Sequence, residues 1–176
     1  MPVAVKGAVA LRKALRSFTP DLAKGLPKEM ALALKPVVKA AKGYAPSQSE
    51  TLSNWQPRSF SEGRFPTYNA RLVKSGIGYK TTPSRPNRRG FRSLARLFNK
   101  TAAGAIYETA GRKTRESVFV NNLNAKSNSQ MKGNKEMEGR VLYRAYEEDK
   151  GKAQDGVLKA IENAKVMLNK RASVRG

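Results

Sequence analysis

The chain has 176 residues, enough for one domain with a moderate core. Its 35 lysines and arginines face only 13 acids, a formal charge of +22 that repels itself unless an anion or an acidic partner lies close. Cysteine and histidine are both absent, which excludes disulfides, thiolate nucleophiles, imidazole bases and the usual zinc and iron ligands.

The opening segment MPVAVKGAVALRKALRSF is interrupted by Lys and Arg too often for a signal-peptide core, and it predicts a short helix near Val3 to Arg16. No apolar run approaches the roughly 18–20 residues of a membrane span. A protein made and used without secretion, and without a membrane partner, is the expectation. A second helix follows. Thr19 is placed to cap it, Pro20 to occupy its first position and Asp21 to complement its dipole. Leu22, Leu26, Met30, Leu34, Val37 and Val38 recur along one face. Pro27 and Pro36 inside this pattern predict kinks or short breaks, and Gly43 with Pro46 predicts its end.

From Ser47 the periodicity lapses, and a long extended arm over 47–100 is expected. It carries Trp55, Phe60, Phe65 and Tyr68, aromatic anchors that a disordered linker lacks. No acid occurs between Glu62 and Glu108, whereas Arg64, Arg71, Lys74, Lys80, Arg85, Arg88, Arg89, Arg92, Arg96 and Lys100 are all basic. Within it RLVKSGIGYKTT reads as a strand or hairpin, SRPNRRGF as a turn, and RSLARLF as a short helix or strand. SVFVNNL, 117–123, reads as a β segment. A long last helix is predicted from GRVLYRAYEEDKGKAQDGVLKAIENAKVMLNK, with an interruption at Gly151 or Gly156, followed by a loose tail at 171–176. The sum is an α+β fold in a single domain over 1–176: a small central antiparallel or mixed sheet packed by the N-terminal and long C-terminal helices, plus the basic arm.

The order of these segments carries a resemblance. KPVVKAAKGYAP closes a helix, AIYETAGRK sets an acid near a glycine, SVFVNNL stands for a Pro-Phe-like strand, and GRVLYRAYEE opens the last helix. In that order they resemble the neck and tail-completion proteins of long-tailed bacteriophages, the head-tail joining protein Z type. The resemblance implies a structural virion protein without catalysis or cofactor, assembled in the host cytoplasm. It further implies a hexameric ring at the head-proximal end of the tail, joined to the connector or stopper and to the tail terminator or tail tube. Gly111 is then expected to turn the chain so that Arg112, Lys113 and Arg115 face an acidic neighbour or the channel.

The basic stretch from Arg64 to Lys100 also suits non-specific DNA contact, with Trp55, Phe65, Tyr68, Tyr79 and Phe91 available for stacking. The alternative is therefore a basic nucleic-acid-binding protein, for DNA packaging or bound to ribosomes. Contact candidates are Arg64, Arg71, Lys74, Arg85, Arg88, Arg89, Arg92, Arg96, Arg112, Lys113 and Arg115. Interface candidates are Trp55, Phe60, Phe65, Tyr68, Tyr107, Tyr143 and Tyr146. Glu147, Glu148 and Asp149 are consecutive, so on a helix they splay and do not converge on a metal ion. No metal site is expected, and GIG at 76–78 marks a bulge or tight turn.

Overall fold

The structure, a computed structural model, describes residues 7–52, 55, 66–113, 117–126, 131–132 and 138–174. Among the described residues are α1 (Ala8–Phe18), α2 (Pro20–Tyr44), α3 (Ala70–Gly76), β1 (Ile77–Lys80), β2 (Arg96–Asn99), α4 (Ala102–Thr109), α5 (Val118–Asn124), α6 (Leu142–Glu148) and α7 (Lys152–Val174). The strands form one two-stranded antiparallel sheet, and the fold is α+β. The chain divides into two compact units: Met1–Pro36, Tyr79–Arg96 and Gly151–Gly176 in the first, Val37–Gly78 and Leu97–Lys150 in the second.

The first unit is a helical core carrying a hairpin. Leu15 of α1, Leu26 and Met30 of α2, and Ala160, Ile161 and Ala164 of α7 are buried together. Their three- and four-residue spacing makes each helix present one apolar stripe, and each large side chain removed from water contributes about 1.5–3 kcal/mol. Small residues let the helices approach: a Cβ added at Gly156 of α7 would lie 2.6 Å from the Ala33 Cβ of α2. Asp21 and Arg171 add an exposed ion pair at 2.8 Å.

The second unit is built around rings. Trp55 packs against Tyr68 at 5.3 Å and, edge-on, against Phe119 at 5.2 Å, while Tyr68 and Tyr107 lie 6.1 Å apart. Their polar ends are satisfied, since the Trp55 indole donates to the Pro66 carbonyl at 2.7 Å and the Tyr68 hydroxyl to that of Pro46 at 3.0 Å. Val37, Val38 and Ala41 from the end of α2, with Val73, Val120, Leu123, Val141 and Ala145, are buried in the same unit.

Several expectations are corrected. The start of RLVKSGIGYKTT is helical, not a strand: Asn69 caps α3 by accepting from the Leu72 amide at 3.0 Å, and the expected hairpin follows in β1, a turn and β2. SVFVNNL is helical, because Ser117 caps it through the Val120 amide at 3.2 Å and Val120 and Leu123 bury at helical spacing. The cost is Val118, left 76% exposed. Thr19 does not cap α2; its hydroxyl donates back to the Leu15 carbonyl at the end of α1. α2 runs through both prolines without a break, held by the buried stripe from Leu26 to Ala41. The final helix is interrupted at Lys150 and Gly151, whose φ values are 52° and 83°, and continues through Gly156. The segment expected as a loose tail is helical as far as Val174.

Candidate polyanion interface

Between β1 and β2 the chain forms a hairpin whose tip is fixed by one asparagine. The Ser84 amide donates to the Ser93 carbonyl at 2.9 Å and the Asn87 amide to the Phe91 carbonyl at 2.9 Å, tying the two legs. The Asn87 side-chain oxygen then accepts from the amides of Arg89 at 3.0 Å and Phe91 at 2.9 Å. This is an Asx-type turn, in which a short polar side chain substitutes for backbone acceptors. Gly90 closes the turn at a φ of 74°, a left-handed conformation that glycine adopts without strain.

The base of the hairpin is anchored in the first unit. Arg12 of α1 donates to the Thr81 carbonyl beside β1, and Leu94 and Ala95 on the returning leg pack against the helical core. Burial and the neighbouring Arg16 lower the Arg12 pKa from its ordinary value. The tip is presented on a held base.

Arg85, Arg88, Arg89 and Arg92 are exposed on this hairpin, and among the described residues no ion pair or hydrogen bond engages their guanidinium groups. Phe91, 40% exposed, stands among them. Arg96 differs: it is half-buried on β2, and one guanidinium nitrogen is buried without a hydrogen-bond partner.

The other candidates lie in the second unit. Arg71 is exposed and Lys74 half-buried on α3, where Lys74 helps lower the Glu50 pKa after the Ser47 hydrogen bonds have done so. Gly111, with a φ of 90°, does turn the chain, and Lys113 is exposed. Arg112 does not face outward: it donates to the Glu138 carbonyl at 2.8 Å and lies 4.7 Å over the Tyr143 ring. The carbonyl and the ring face satisfy its guanidinium internally. Arg64, Arg115, Phe60 and Phe65 lie outside the described residues. Of the interface candidates, Trp55, Tyr68 and Tyr107 are buried in the core and have no free surface to offer; Tyr143 and Tyr146 are half-buried.

A pair of buried charges organises the second unit. Glu108 on α4 is 5% exposed, and its carboxylate accepts from the amides of Val141, Leu142 and Tyr143 at 2.8, 3.0 and 2.9 Å. It caps the start of α6. Burial raises its pKa, and those three amides and Arg112 oppose the rise. In return Arg140 donates to the carbonyls of Tyr107 at 2.9 Å and Ala110 at 2.6 Å, at the end of α4, and to the Asn124 side chain of α5 at 2.8 Å. Each charge sits at the helix end of opposite polarity. The sequence carried a signal of this in the acid and arginine flanking AIYETAGRK and GRVLYRAYEE, but no spacing rule pairs residues 32 positions apart. Comparison with family models, with curated proteins and with solved structures finds no match for this chain.

Proposed function

We propose that this chain is a non-catalytic structural protein of a phage neck, forming a ring that joins the tail to the head connector. The observation that supports the reading is convergence. The four segments that resemble the tail-completion proteins are far apart in sequence, yet all contribute to the second unit. Tyr44, ending the first, donates to Glu148 in the fourth and underlies Arg144 at 4.0 Å. Glu108 and Arg140 lock the second to the fourth, and Asn124, the residue that follows the third, accepts from Arg140. The third segment is a helix, where the resemblance implies a strand.

Function is then geometric: copies bury surface against one another, and the cations select an anionic neighbour. Obligate interfaces of this kind bury about 2,000 Å² or more. Electron microscopy of the nuclease-treated protein tests the reading. Closed rings of one copy number are expected; single particles at every concentration up to tens of micromolar contradict it.

A further inference from the structure

We infer that the hairpin from Ser84 to Ser93 is a binding site for the phosphate backbone of duplex DNA. The inference is independent of the ring, since it rests on the hairpin alone. Four arginines fall within the eight residues Arg85 to Arg92, with no acid anywhere between Glu62 and Glu108. Among the described residues, several arginines elsewhere are engaged within the chain: Arg112 and Arg140 on carbonyls, Arg144 on Glu148, Arg171 on Asp21. The hairpin arginines are left to solvent.

The cations here are arginines without exception, although lysine is common in the rest of the chain. A guanidinium fork matches two phosphate oxygens at once and loses less freedom per hydrogen bond than an ammonium. The turn is already organised by Asn87 and Gly90, and its base is held by Arg12, Leu94 and Ala95, so the backbone has little left to order on binding. Two legs of chain tied by hydrogen bonds have the width that the DNA major groove admits. Phe91 adds an apolar surface between the cations for sugar and base edges. An acidic protein surface would satisfy the charge, but it has no regular row of phosphates for the four forks.

The test is fluorescence anisotropy of a short labelled DNA duplex with the intact, nuclease-treated protein. Four phosphate contacts give a slope of about −3.6 in log affinity against log salt, a loss of about 150-fold between about 50 and 200 mM. The double variant Arg88→Gln, Arg89→Gln is expected to bring the slope to about −1.8. A control with the same change of charge on α7, Lys159→Gln with Lys170→Gln, is expected to leave it unchanged. Asn87→Ala keeps every charge and is expected to weaken binding about threefold to tenfold through lost organisation. Circular dichroism checks that each variant keeps its helices. A control that weakens binding as much as the hairpin variant would show net charge alone and overturn the site. So would poly-L-glutamate displacing the duplex as well as unlabelled DNA does, which would mark the partner as an acidic protein. Tighter binding of single-stranded DNA than of the duplex would overturn the duplex assignment.

Discussion

At the scale of residues, the strongest constraint is the exchange of charges between α4 and α6. Glu108→Gln keeps the shape but leaves only one acceptor oxygen for three amides, and its new amide group confronts a donor. Chemical denaturation should show a loss of about 1–3 kcal/mol. Arg140→Met removes the donors at the end of α4 and leaves the Tyr107 and Ala110 carbonyls and the Asn124 side chain without them. A loss of about 1–3 kcal/mol for each acceptor left buried is expected by the same measurement. Gly139 belongs to this node as well, because a Cβ there would collide with the Glu108 Oε1. Of these residues the sequence showed Glu108 as the lone acid ending a basic tract. Arg140 was one arginine among many. What distinguishes it is its complete burial, a tertiary fact that no local pattern encodes.

At the scale of elements, helix periodicity was legible and turn chemistry partly so. The stripe from Leu22 to Val38, the break at Gly151 and the turn in SRPNRRGF are all present in the structure. SVFVNNL misleads because its β-branched residues satisfy a strand pattern, whereas its Ser cap and its buried Val120 and Leu123 satisfy a helix. Tertiary burial decides between them. Packing between α2 and α7 yields a prediction of unusual sign. Gly→Ala in a helix ordinarily stabilises by about 1 kcal/mol. Gly156→Ala should instead lower the melting temperature, because its methyl would meet Ala33 at 2.6 Å. The tie between Tyr44 and α6 predicts a pH dependence. The Tyr44 hydroxyl, with Lys132 and Arg144, lowers the Glu148 pKa from 4.5 to about 2. A depressed carboxyl pKa contributes stability above its unfolded value, and that stability is lost as pH falls through the folded value. Glu148→Gln should therefore melt below the parent protein above pH 4.5, with the difference vanishing near pH 2.

At the scale of the whole molecule, charge is the dominant fact. A chain carrying +22 spends several arginines on its own carbonyls and acids and leaves a compact cationic hairpin on an anchored base. Composition made the excess of positive charge legible, but not the hairpin's anchoring, which depends on Arg12 reaching Thr81 from 69 residues away. Of the aromatic residues read as contacts for other subunits, Trp55, Tyr68 and Tyr107 fill a core, where burying the rings together stabilises them and the polar ends of Trp55 and Tyr68 find partners. The central claim, that copies of this chain join one another in a closed ring, is most directly tested by its mass in solution. Sedimentation of the nuclease-treated protein, at moderate and at high salt, should give a single species near six times the 19.4 kDa chain. A mass of one chain under both conditions, unchanged across the concentration range, would contradict the account.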